Sequence, residues 1–342
     1  MIRAGQPFRP WGKVDNIFSA IPNTDWAYVG CVSAEDRCSI MATYFPRFGH
    51  FSEKLVFRIS DKPSEATAEI RDKTDAHQMA FENNNFDAAD FFSANIFDTF
   101  GTFEDRFNSF LADMKSTRLL LDISTLPKKV FFHLVQQIYR NADKFSDVIV
   151  TYAEPAEYCD DNLASNPEPW DALPGFRVAR RQIADLKILV GIGFEPLGLP
   201  SLVESGEFNN SPISFLFPFP ADQASNAKNW RFIRDIFPNA EQASFKVKRI
   251  DGTNVPEIFD LICGEGDSGN IDLLLAPYGP KPMSLAMALY AAKYSNPPNS
   301  QTGVYYTQPT YYNPNYSVGV RIQNAKPVIN CYVIRADNQN LY

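Results

Sequence analysis

No Cys-x-x-Cys pair, no closely spaced histidines and no apolar run of membrane-spanning length occur in these 342 residues. The five cysteines (Cys31, Cys38, Cys159, Cys263 and Cys331) are scattered and odd in number, which argues against a disulfide framework and suits a reducing compartment. The three histidines (His50, His77, His133) show neither H-x-x-x-H nor H-E-x-x-H spacing. A histidine zinc site or a Ser/His/Asp triad would therefore need one isolated histidine brought in by the fold. His133 lies in a helix-like run and reads as structural, and neither a metal nor a resident cofactor is expected. Apolar runs stay short of the roughly 18 residues of a membrane span. The opening "MIRAGQPFRPWGKVDN" lacks the apolar core of a secretory signal. The expectation is a cytoplasmic protein with no membrane contact.

Positive charge is in deficit. Lys and Arg number 32 against 40 Asp and Glu, for a net charge of -8. That removes any global electrostatic reason to bind a nucleic acid backbone, so nucleic acid is not an expected partner, although a local basic groove stays open. The phosphate and nucleophile signatures G-x-G-x-x-G, G-x-x-x-x-G-K-[ST] and G-x-S-x-G are absent. "VGIGFEPLG" comes after a strand but departs from the dinucleotide spacing, so a nicotinamide cofactor is not expected. What is abundant is apolar: 45% hydrophobic and 14% aromatic residues, enough to bury a substantial core.

The chain resembles itself. Residues 119–158 begin "LLLDISTLPKK" and residues 273–312 begin "LLLAPYGPKPMS", and each runs through a helix-like stretch to Val-x-Tyr-x-x-Pro-x-x-Tyr. Pro127 to Pro155 is 28 positions and Pro280 to Pro309 is 29. Upstream, "WAYVGCVSAEDRC" and "KILVGIGFEPLG" are each a short strand ending in Val-Gly, with a glutamate in the next loop. The pattern suggests an internal duplication. Its halves would be residues 1–165 and 166–342, with the boundary in the Pro-, Asp- and Asn-rich stretch over 159–176. Continuous apolar strands alternating with helices of ordinary length predict an α/β fold. The expected architecture is two tandem Rossmann-like domains, each with a mostly parallel sheet.

In such sheets ligands sit beyond the carboxyl ends of the strands. Ser124 and Thr125 are good helix caps there, Pro127 suits a first helical turn, and Lys128 comes next. In the second half Gly279 permits close backbone approach, and Lys281 with Ser284 opens the matching helix. A lysine at the positive end of a helix dipole is mildly unfavourable unless an anion binds there or water solvates it. Backbone N–H groups, hydroxyls and a lysine at that position make an anion site, most often for phosphate. Tyr152 and Tyr306 close the next strands and either stack on a base or pack against loops. Glu35 and Glu195 hold matching places for ribose hydroxyls. Asp122 and Glu154 are the acid or base candidates if the protein is an enzyme. The phenylalanine-rich stretch over 81–107 reads as core and capping segments, and any surplus apolar face as a partner or dimer surface.

The motifs "DISTLPKK" and "APYGPKPMS" resemble those of the CARF and SAVED sensor domains of prokaryotic immunity. The resemblance implies that Ser124, Thr125, Lys128, Gly279, Lys281 and Ser284 contact the phosphates of a nucleotide in a pocket between two such units. It also implies a sensor subunit in antiphage defence that acts on a separate effector protein, since the chain carries no nuclease-like domain. Two other classes stay open: an enzyme acting on a nucleotide or phosphorylated metabolite, and a scaffold for protein contacts.

Overall fold

The computed structural model describes residues 8–21, 24–159, 163–178, 186–199, 211–221, 223–237, 245–294 and 302–342. Its contacts divide the chain into two compact units, one comprising Met1–Leu134, Arg140–Ala164 and Tyr311–Tyr342, the other Val135–Tyr139 and Ser165–Thr310.

The first unit opens with β1 (Trp11–Lys13) and α1 (Val14–Phe18), then β2 (Asp25–Val32), α2 (Ile40–Tyr44), β3 (His50–Ser60) and α3 (Thr67–Glu82). It continues through β4 (Phe91–Asn95), α4 (Phe100–Asp113), β5 (Arg118–Asp122), α5 (Lys128–Arg140), β6 (Asp147–Ala153) and β7 (Pro155–Tyr158). Seven strands lie in the order β1-β19-β6-β5-β2-β3-β4, where β19 is Ile329–Ala336 near the C-terminus. The five from β6 to β4 are mutually parallel. β2 is buried from its second residue to its last, as expected of a strand covered on both faces. One face packs Trp26, Tyr28, Val56 and Leu120 against Phe18, Met41, Phe45 and Phe81. On α4, Phe103, Phe107, Phe110 and Leu111 are buried. Their spacing of three and four residues makes one helical stripe.

The second unit holds β8 (Ala164–Pro167) at its margin, then β9 (Asp171–Ala172), β10 (Lys187–Gly191), β11 (Ile213–Pro218), α6 (Gln223–Ile236), β12 (Phe245–Ile250) and α7 (Val255–Glu265). After these come β13 (Leu273–Pro277), α8 (Lys281–Tyr294) and β14 (Thr302–Tyr306). The sheet order is β12-β11-β10-β13-β14-β9, parallel throughout except for β9. Every residue of α8 from Pro282 to Ala292 is buried, which is why its sequence is apolar all round and rich in alanine.

The remaining strands are β15 (Pro309–Tyr312), β16 (Ser317–Val320), β17 (Ile322–Gln323), β18 (Lys326–Pro327) and β20 (Gln339–Asn340). β16 pairs with β7, and β19 inserts between β1 and β6. The C-terminal segment that the sequence groups with 166–342 thus completes the first unit's sheet. Hydrogen bonding explains this: without β19, the outer edge of β6 would be an unpaired ladder.

The protein is therefore mixed α/β with two mostly parallel sheets. In each, the first parallel strand in chain order lies between the second and the fourth, β2 between β3 and β5, and β10 between β11 and β13. The gap between first and fourth strands is where successive crossovers run in opposite directions, and it is the point at which open sheets leave a crevice. Among the described residues, no helix is long and apolar enough to cross a membrane.

Candidate functional site

In the first unit this point lies between the ends of β2 and β5, and Asp122 closes β5 there, 2% exposed. Its Oδ1 accepts from Ser124 N at 3.0 Å and Ser124 Oγ at 2.5 Å, and Tyr28 Oη lies 3.4 Å from Oδ2. Burial, reinforced by the Asp122 carboxylate, pushes the Tyr28 hydroxyl well above the usual tyrosine range, so it stays protonated and able to donate. Gly30 makes room for this ring, because a Cβ there would overlap Tyr28 Oη.

Ser124 and Thr125 sit at the expected strand end, with their hydroxyls bonded to the sheet's own edge. Ser124 Oγ also accepts from Ala153 N at 2.8 Å, and Thr125 Oγ1 donates to the Cys31 carbonyl at 2.8 Å. These bonds tie the ends of β2, β5 and β6 together and fix the turn leading into α5. Lys128 is the first residue of that helix and is half-buried. The neighbouring Lys129 donates to the Ile96 carbonyl at 2.9 Å.

Glu35 and Tyr152 belong to a second cluster, organised by an arginine that no sequence motif singles out. Arg37 is 1% exposed. Its Nη2 and Nε donate to Glu35 Oε2 at 2.8 and 3.1 Å, its Nη1 to the Ala153 carbonyl at 3.2 Å, and its guanidinium lies 5.4 Å from the Tyr152 ring centroid. Burial opposes the Arg37 charge, but Glu35, Tyr152 and Tyr158 together outweigh it and the pKa rises. Ser317 Oγ also donates to Glu35 Oε2, and the Tyr152 and Tyr158 hydroxyls are 3.2 Å apart. Asp36 accepts from Gly319 N at 2.6 Å. The ribbon of β7 and β16 is thus fastened to the loop that leaves β2.

Glu154 stands apart from both clusters. It pairs with Lys13 at 3.3 Å and Arg321 at 2.8 Å and accepts from Asn330 Nδ2 at 2.7 Å. In this setting it ties β1, β19 and the segment after β16 to the end of β6.

In the second unit the corresponding point lies between β10 and β13. Here two backbone segments approach closely: a Cβ on Gly193 would overlap the Tyr278 carbonyl, and one on Gly279 would stand 2.7 Å from Met283 Sδ and 3.1 Å from the Ile192 carbonyl. The glycines of "VGIGF" and "YGP" serve this contact. Lys281, half-buried, is the first residue of α8, and Ser284 is buried with its Oγ 3.4 Å from the Gly279 carbonyl. Tyr306 ends β14 with its ring 5.2 Å from that of Tyr278, whose hydroxyl lies 3.0 Å from Thr307 Oγ1. Glu195 is half-buried in the turn after β10.

No protein-family model matches the sequence, and no curated protein is significantly similar to it.

Proposed function

We propose that this chain binds a nucleotide at the carboxyl edge of its parallel strands and serves as a sensor of it. One observation carries the reading. In each unit the fourth parallel strand leads through a short turn into a helix whose first residue is lysine, Lys128 in α5 and Lys281 in α8. Both lysines come directly after the strand that borders the crevice, where helix N-termini meet anionic ligands. The same strand order in both sheets supports two tandem Rossmann-like domains that arose by duplication. A sensor of this kind, like the CARF and SAVED domains it resembles, would act on a separate effector protein in antiphage defence.

Thermal unfolding against mononucleotides, dinucleotide cofactors and cyclic oligonucleotides tests this, with Lys128→Ala and Lys281→Ala in parallel. A ligand at about 100 times its Kd adds about 2.7 kcal/mol of stability. A selective shift abolished by either substitution, with the nucleotide recovered intact, is the expected result. Turnover that is lost in Asp122→Asn would replace the sensor with an enzyme. No shift with any phosphate-bearing compound would end the nucleotide reading.

A further inference from the structure

The sheet of the second unit ends in an aromatic and basic corner to which the proposed phosphate contacts do not extend. Neighbours in register on parallel strands share a face, and Phe217 is in register with Arg249. Along β12, alternation therefore places Phe245, Val247 and Arg249 on the face covered by α6. The first two pack against that core. Arg249 is exposed, and its guanidinium lies 5.6 Å from the centroid of the Phe219 ring, just beyond the end of β11. Trp230 of α6 stands 5.0 Å from the buried Phe217 ring. Trp230 and Phe219 are 43% and 45% exposed, so two large rings face water, Phe219 beside a cation.

The sequence here is locally basic in an acidic protein, although Lys248 pairs with Glu265 and Arg231 with Asp235. Residues 223–250 hold six Lys and Arg against two acids, although the whole chain carries a net charge of -8. The position is also specific. A Cβ on Gly252, in the loop leaving β12, would stand 3.1 Å from Pro280 Cγ and 3.4 Å from Pro218 Cβ. The residues that precede Phe219 and Lys281 thus converge on one corner of the sheet edge.

We infer that this corner is the base-binding subsite of the second unit: a nucleobase stacks on Phe219, flanked by Trp230, while Arg249 meets the anionic part of the nucleotide. The inference rests on the proposed nucleotide binding and assigns the base to the ends of β11 and β12. An aromatic face accepts any base, and a guanidinium held over a ring adds cation–π attraction and complements phosphate charge.

The test is titration of tryptophan emission with adenosine monophosphate, uridine monophosphate and ribose phosphate. It uses the wild type, Trp230→Phe, Phe219→Ala and Arg249→Ala, with circular dichroism to confirm folding of the variants, whose changed residues are all at least partly exposed. A nucleoside monophosphate should quench emission saturably, and the quench should vanish in Trp230→Phe. Binding should weaken about tenfold or more in Phe219→Ala. Ribose phosphate should bind more weakly, equally to the wild type and Phe219→Ala, and more weakly still to Arg249→Ala. Nucleotide binding unchanged in Phe219→Ala and Arg249→Ala overturns the subsite while leaving the phosphate reading intact. No binding of any probe at millimolar concentration overturns both. Self-association that depends on Trp230 and Phe219, with nucleotide affinity unaffected, overturns the subsite in favour of a second copy of the chain.

Discussion

Arg37 carries a full charge at 1% exposure, and the Glu35 carboxylate makes that tolerable. Removing the cation strands the carboxylate, a change that costs about 3–5 kcal/mol when a buried pair is broken from one side. Arg37→Met is expected to lose stability on this scale in urea melts, and the double variant with Glu35→Gln to recover part of it. A double variant that loses the sum of the two single losses would show that the pair is not coupled. His133 makes a prediction of the opposite kind. It is buried with its ring 4.3 Å from Phe100, and among the described residues its Nε2 has no hydrogen-bond partner. Burial, then repulsion from Arg140, lowers its pKa from 6.5 to about 4. Above 6.5 the folded and unfolded chains are both neutral at this site; as pH falls toward 4, only the unfolded chain takes up the proton. Stability is therefore complete above the ordinary value and lost on acidification, by up to about 3 kcal/mol from this group. Urea melts of His133→Phe across the same range should show a shallower slope than the wild type, and identical slopes would remove His133 as the cause. Of these residues, the sequence marked Glu35 and His133 but not Arg37, because an arginine two positions after a glutamate in a loop resembles any solvated charge until the fold buries it.

Helices and strands were legible where burial on both faces imposed an apolar sequence, as in β2, β5, β10, β13 and α8. α3 was not: of its 16 residues only Thr74 and Phe81 are buried, so no apolar stripe announced it. β4 was hidden for the opposite reason, because the phenylalanine-rich stretch over 81–107 supplies α3, β4 and α4 in turn and its aromatics blur the two periods. The glycines around β10 were visible, and their spacing departs from a dinucleotide fingerprint. Their purpose, close approach of two turns, required the fold. Gly193→Ala should cost more than about 2 kcal/mol, since the new methyl meets a backbone carbonyl rather than a pliable side chain. Gly264, in α7, has nothing among the described residues within 4 Å of an added Cβ. Gly264→Ala should instead stabilise by about 0.5–1 kcal/mol, through the lost freedom of the unfolded chain and better helix propensity. Thermal denaturation of the two variants side by side checks the contrast, and similar effects of equal sign would contradict it.

At the scale of the whole chain, the matched motifs over 119–158 and 273–312 drew attention to two similar halves and away from the segment beyond Tyr312. The run "VINCYVIRA" over 328–336 is mostly apolar, yet no local signal says which sheet it joins. Pairing is decided by which edge is open. β6 offers one, and β19 fills it in antiparallel register from Ile329 opposite Ala153 to Arg335 opposite Val148. Ile329, Cys331 and Val333 then enter the same core as Trp26 and Tyr28, and Arg335 donates to the Phe145 carbonyl at 2.6 Å. Burying three such side chains contributes several kcal/mol, a large share of the roughly 5–15 kcal/mol that holds a domain folded. A chain ending at Arg321 should therefore lose hydrogen-exchange protection in β5 and β6 while β10 and β13 keep theirs. Two strictly sequential halves, divided near residue 165, require the reverse. Exchange measured on that one truncated protein distinguishes a first unit closed by the C-terminus from a second half that merely ends there.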